Sequence, residues 1–196
     1  MAETTAQKIK IKTGKAVTIR TARPDDAKAV NSQAKTILTE DLFNASTLEE
    51  LRPKLAIGKQ RRRIREFIKQ PGRVLLVAEL DGRIAGILDA ESSPRKRMQH
   101  VGTLHLSVHP KFRRRGIATA LMKAAIDWAK KNPVIEKLTL EVFRTNRPAI
   151  RLYEKTGFKR EGLGVKGIKL EDGRYVDIVM MARFVKGGDM FLNRFV

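Results

Sequence analysis

The chain has 196 residues, 42% of them apolar, with 41 Lys and Arg against 21 Asp and Glu, a formal charge of +20. That length suits one domain with a modest extension, and the charge calls for an anionic partner such as nucleic acid, a membrane surface or a phosphorylated ligand. Cysteine is absent, which excludes disulfides, thiolate nucleophiles, iron–sulfur clusters and Cys-type zinc sites.

In chain order, residues 1–15 are polar and Lys-rich and are expected to form a flexible basic arm. They lack the apolar core of a signal peptide, and no apolar run has the length of a membrane span, so the expectation is a cytoplasmic protein with no membrane partner. AVTIRTA, residues 16–22, alternates as a strand. Pro24, followed by Asp25 and Asp26, suits a helix start, with that helix running to about Leu38. Ser46-Thr47-Leu48-Glu49 has the form of a capping box. The helical pattern breaks at Pro53 and Gly58, resumes through GKQRRRIREFIKQ and stops at Pro71-Gly72. Residues 52–73 hold nine Lys and Arg and one acid, Glu66, the densest charge run.

RVLLVAEL and RIAGILDAES, joined by Asp81-Gly82, read as a hairpin with a two-residue turn. A basic loop leads to a strand, VGTLHLSVH. After HPKFRRRG comes an amphipathic helix, IATALMKAAIDWAKK, stopped by Asn132-Pro133. IEKLTLEVF alternates as another strand. Asn146 suits a helix N-cap with Pro148 in the first turn, and Gly157 suits the C-terminus. A final hairpin turns at Glu171-Asp172-Gly173. The tail, residues 186–196, carries Phe191, Leu192 and Phe195, suited to covering a surface patch or meeting a partner. The element order predicts an α/β (α+β) protein: a mixed, mostly antiparallel sheet of about seven strands with helices on both faces, residues 16–185 being one domain.

HPKFRRRGIA, between strand and helix, carries chemistry. A helix start exposes backbone N–H groups without internal partners, and the helix dipole adds positive potential. A sharp turn into the helix aims those groups at one point, which suits phosphate or diphosphate. Gly116 and Ala118 allow close approach to the backbone. Arg113, Arg114 and Arg115 add charge to the rim. The chain has neither GxxxxGK[ST] nor GxGxxG, so this is not a P-loop or a dinucleotide fingerprint. The three histidines, His100, His105 and His109, lack metal-ligand spacing, and no metal is expected.

Arg113-Arg114-Arg115-Gly116-Ile117-Ala118 resembles the Q/R-x-x-G-x-G/A signature of the GNAT superfamily of N-acetyltransferases. Downstream, EVFRTNRPAIRLYEKTGF resembles a second segment of that family at Asn146, Ala149, Tyr153, Gly157 and Phe158. The order of elements matches from about residue 17 to 185. The resemblance implies acetyl-CoA as donor, with its diphosphate on the backbone N–H groups of Arg114, Arg115, Gly116, Ile117, Ala118 and Thr119. It implies that VGTLHLSVH carries a bulge and splays from the next strand. The pantetheine arm would then pair with Leu106, Ser107 and Val108, and a backbone N–H, that of Val108, would stabilise the oxyanion. Asn146 matches a CoA-contacting position and also reads as a plain N-cap. Tyr153 matches the general acid that protonates the departing thiolate, and also reads as a packing tyrosine.

Attack needs a neutral amine and therefore a base. Glu141 matches the glutamate base of ribosomal-protein alanine acetyltransferases. Its other reading is a strand carboxylate paired with a cation such as Arg144. His105 is the alternative base, or a buried hydrogen-bonded histidine. At Val101 and Gly102, where other relatives place a carboxylate, none stands. His109 shapes the loop. The acceptor amine is undefined: an amino acid, a small amine, a protein N-terminus, or an acidic molecule drawn by the basic runs. A basic nucleic-acid- or ribosome-binding protein on the same scaffold is the competing class, and a homodimer is left open.

Overall fold

Strands form where aliphatic and β-branched residues alternate or run together. In the computed structural model, which describes residues 6–39 and 46–187, they are β1 (Gln7–Lys10), β2 (Ala16–Thr21), β3 (Arg73–Leu80), β4 (Arg83–Ser92), β5 (Val101–Val108), β6 (Lys137–Phe143), β7 (Lys159–Lys169) and β8 (Tyr175–Phe184). The helices are α1 (Ala27–Thr39), α2 (Leu48–Leu51), α3 (Ile57–Lys69), α4 (Ile117–Lys131) and α5 (Arg147–Lys155). One sheet holds all eight strands in the order β1-β2-β3-β4-β5-β6-β8-β7. Only β5 and β6 run parallel; every other neighbouring pair is antiparallel.

Helices cover both faces, as the element order predicts. α4 lies on one face and buries Ile117, Leu121, Met122 and Trp128, among others, against Val17, Leu76, Leu88 and Leu138. Each fully buried large side chain contributes about 1.5–3 kcal/mol. Gly86 sets how closely α4 approaches: a Cβ there would lie 2.9 Å from Leu121 Cδ1 and 3.0 Å from Ile117 Cγ2. On the other face, Val30 of α1 and Ile64 and Phe67 of α3 pack on Leu75, Val77 and Ile87. The β3–β4 turn has Asp81 at φ 51° and Gly82 at φ 72°, the left-handed pair of a type I′ hairpin.

Several expectations shift. Residues 7–10, expected within a loose arm, form β1, paired with β2 from Gln7↔Ile19 to Lys10↔Ala16. The sheet therefore has eight strands rather than about seven. The physical reason is apolar: Ile11 is 6% exposed and Ile9 packs against the main core, so two isoleucines among the lysines anchor the segment. Residues 1–5 and the aromatic tail, including Phe191, Leu192 and Phe195, lie outside the described residues. The capping box sits one residue later than expected: the Thr47 N–H donates to Glu50 at 2.8 Å and the Glu50 N–H donates to Thr47 Oγ1 at 3.3 Å. Pro53 then confines α2 to four residues.

Pro24–Asp26 forms a short 3-10 turn that runs directly into α1, and this turn is capped and tied to β2 by Asp26. Its carboxylate accepts two bonds from the Arg20 guanidinium, at 2.7 and 2.9 Å, and one from the Arg23 N–H. Burial pushes the Asp26 carboxyl up, but these donors outweigh it and hold it below the ordinary value. The bulge expected in the VGTLHLSVH strand is absent: β5 keeps unbroken register with β4 from Gly86↔Val108 to Ser92↔Gly102. The irregularity falls between β3 and β4, where Ala78 faces Gly86 and Glu79 faces Ile84.

Candidate active site

The parallel neighbours β5 and β6 pair at only three positions, Val101↔Lys137, Gly102↔Leu138 and Thr103↔Thr139. Beyond Thr103 they part and leave a V-shaped gap, although β5 needs no bulge to open it. The backbone of β5 alternates in direction. His109 N–H donates to Ala85 C=O at 2.9 Å, so the odd-numbered residues of β5 face β4, and Leu104, Leu106 and Val108 face the gap. Of the three residues expected to meet pantetheine, Leu106 and Val108 aim their backbone into the V. Ser107 turns its backbone to β4, and Gln33 Nε2 lies 3.3 Å from both its carbonyl and its hydroxyl. The Val108 carbonyl accepts from Arg113 Nε at 3.2 Å.

The loop HPKFRRRG follows β5. Gly116 is the N-cap of α4, with φ 90°, and no side chain caps the helix. The first intrahelical bond runs from Ala120 N–H to Gly116 C=O, which leaves the N–H groups of Ile117, Ala118 and Thr119 without intrahelical partners. α5 differs: the Asn146 amide oxygen accepts from Ala149 N–H at 3.2 Å. An uncapped, dipole-positive terminus beside a gap in the sheet fits an anionic group attached to an extended arm. Arg114 has φ 63° without being a glycine, a strained conformation kept where a loop is over-determined. The side chains on either side of it brace the loop. Arg113 reaches Val108, and Arg115 donates to the Lys111 carbonyl at 3.0 Å with its guanidinium over Phe112. His109 Nδ1 accepts from Lys111 N–H at 3.3 Å, so this histidine shapes the loop.

Asn146 is an N-cap through its oxygen, which leaves its amide nitrogen able to donate toward a ligand. Tyr153, 8% exposed on α5, packs at a tilt of 55° against Phe158, with ring centroids 6.2 Å apart. Burial pushes its phenol up to about 12, so it is neutral at physiological pH. Glu141 is exposed on β6, opposite Met180 of β8. Arg144, its anticipated partner, pairs with Asp177 at 3.0 Å, and Glu141 makes no ion pair among the described residues. His105 is not buried: 63% of its side chain is exposed, with Nδ1 3.1 Å from Asp89. The bond to Asp89 raises its pKa, against the opposing partial desolvation of the ring and the charge of Arg63. His105 and Glu141, two residues beyond Thr103 and Thr139 on their strands, both lie on the sheet face away from α4.

Two neighbours of these residues were missed in the sequence. Asp89 joins His105 to Arg63 of α3, 3.2 Å away. Gln33 of α1 is 2% exposed, and its Oε1 has no hydrogen-bond partner among the described residues. Asp89 was hidden in an aliphatic strand and Gln33 in a helix with no motif, so only strand pairing and helix docking place them beside His105 and Ser107. The dense basic run resolves into an amphipathic helix: Gln60, Ile64 and Phe67 point inward while Lys59, Arg61, Arg62 and Arg65 are exposed. A cavity of about 1180 Å³ lies between α5 and the β7–β8 hairpin, lined by residues such as Arg147, Ile150 and Val179. It includes no residue of β5 or of the loop before α4. Among the described residues, no three metal-ligating side chains cluster and no helix is long and apolar enough to cross a membrane.

The acetyltransferase (GNAT) family model matches residues 39–158. The chain belongs to the GNAT family. An L-amino acid N-acetyltransferase, AaaT, of Escherichia coli is 39% identical over 114 residues, 58% of this chain and 70% of that protein. An N-alpha-acetyltransferase of Saccharolobus solfataricus is 32% identical over 57% of this chain and 68% of its own length. A GNAT acetyltransferase structure from Streptococcus pneumoniae superposes with TM-score 0.79 at 27% identity, covering 86% of this chain and 98% of that one. The GNAT fold is also shared with a Salmonella typhimurium acetyltransferase solved with acetyl-CoA, at TM-score 0.76, 18% identity, and 88% and 95% coverage. A GNAT acetyltransferase that uses acetyl-CoA is therefore the general description of this chain.

Proposed function

We propose that this GNAT protein is a cytoplasmic N-acetyltransferase that acetylates the α-amine of an amino acid or of a peptide N-terminus. The observation that carries this is the uncapped start of α4 beside the β5–β6 gap. The relatives named for amino-acid and N-alpha acetylation agree with an α-amine acceptor. The catalytic unit includes residues 16–185 together with β1.

The diphosphate of acetyl-CoA lies on the N–H groups at the start of α4, with Asn146 at the edge of the site. The pantetheine arm enters the gap against Leu106 and Val108. The acceptor nitrogen approaches from the face bearing Glu141 and His105, and forms a bond to the thioester carbon. The Val108 N–H stabilises the oxyanion. The base takes a proton from nitrogen; then the C–S bond breaks and the sulfur takes a proton donated by Tyr153. Glu141 is the better base, because the bond to Asp89 keeps His105 protonated to higher pH than an ordinary histidine. Glu141→Gln should lower kcat/KM about 100-fold and His105→Gln by less than about fivefold. The reverse order, measured as pH–rate profiles, reassigns the base to His105.

The decisive experiment is a thiol-release assay with acetyl-CoA against amino acids, short peptides, polyamines and aminoglycosides. Turnover is expected with α-amines and not with polyamines, which the basic surface repels. If no acceptor turns over, acetyl-CoA gives no thermal stabilisation, and nucleic acid binds tightly and salt-dependently, the enzymatic reading is replaced by the nucleic-acid-binding one.

A further inference from the structure

The β1–β2 turn lies outside the stretch matched by the family model, yet it meets the donor loop. Gly14, at φ 79°, closes the turn with its N–H on the Ile11 carbonyl at 2.9 Å, and Ile11 N–H bonds the Lys15 carbonyl at 2.9 Å. Ile11 is buried beneath it. Lys15 is tied to Asp81 of the β3–β4 turn at 2.6 Å. Between these anchors, Lys12 N–H donates to the Arg115 carbonyl at 3.2 Å. A Cβ built on Gly116 would lie 3.6 Å from Lys12 Cγ and 3.8 Å from its nitrogen. The Lys12 stem thus rises beside the N-cap of α4. Lys12 is exposed, and its ammonium has no ion-pair partner among the described residues.

This placement matters because two of the three neighbouring arginines are turned to other tasks. Arg113 and Arg115 donate to the carbonyls of Val108 and Lys111. Lys12 is a compact point charge on a flexible stem, suited to a phosphate oxygen already positioned by backbone N–H groups. We propose that Lys12, carried by the β1–β2 turn, binds the diphosphate of acetyl-CoA. This rests on the donor site described above. It makes the N-terminal hairpin part of the binding site and not merely an edge strand.

The test is calorimetric titration of the full chain with CoA and with dephospho-CoA, which lacks the 3′-phosphate but keeps the diphosphate. Lys12→Met keeps most of the stem and the backbone bond but removes the charge; Lys12→Arg keeps the charge. Lys12→Met is expected to weaken both ligands about tenfold, and Lys12→Arg to restore most of the loss. Wild-type affinity in Lys12→Met overturns the proposal, as does an equal loss in Lys12→Arg. A loss seen with CoA and absent with dephospho-CoA moves Lys12 to the 3′-phosphate and overturns the diphosphate assignment. If the wild-type chain binds neither ligand, the donor-site reading itself falls, an outcome distinct from a failure confined to the Lys12 variants.

Discussion

Replacement of Gly116 by valine is expected to raise the dissociation constant for acetyl-CoA about 100-fold, equivalent to losing roughly 3 kcal/mol of charge-assisted hydrogen bonding. The cause is conformational. Space alone would admit a Cβ, since its closest neighbour, Lys12 Cγ, would be 3.6 Å away. But φ is 90°, where a β-branched residue is strained by about 1–3 kcal/mol. The turn relaxes, and the N–H groups of Ile117, Ala118 and Thr119 no longer converge. The variant should remain folded, melting roughly 4–8 °C lower. The added carbon would lie nearest the β1–β2 turn, so strain rather than bulk is what disturbs the site. Calorimetry with acetyl-CoA decides the matter, and an unchanged dissociation constant would remove the loop from the binding site.

Tyr153→Phe is expected to reduce kcat about 100-fold while leaving acetyl-CoA affinity within about twofold. The ring keeps its packing in the core and against Phe158 at 6.2 Å, so only the hydroxyl is lost. Burial holds that hydroxyl at about 12, so the phenol is neutral and able to donate across the physiological range. The acid role requires that the defect appear in chemistry rather than binding. Single-turnover measurement with saturating donor would show it directly. If the single-turnover rate is unaltered, Tyr153 is a packing residue and the thiolate takes its proton elsewhere.

Local signals carried much of the chain. The Asp81-Gly82 turn, the α4 stripe, the Asn146 cap and the alternation of β6 are legible because each depends on neighbours within one element. The capping box shows the limit. Ser46/Glu49 and Thr47/Glu50 have the same spacing, and the choice of Thr47 with Glu50 is a matter of geometry. β1 was illegible because its lysines outnumber its apolar residues; its stability comes from Ile9 and Ile11 meeting a core built by distant strands.

The sequence by itself pointed to the family, through its resemblance at residues 113–118 and 146–158, and marked the turn before α4 as suited to an anion, because such a turn needs particular residues at fixed spacing. Tertiary structure decided what surrounds that turn. The opening of β5 from β6, the Asp89 link between His105 and Arg63, Gln33 against Ser107 and Lys12 over Gly116 all join residues far apart in the chain. Such contacts depend on strand order and helix docking, which no short stretch of sequence encodes.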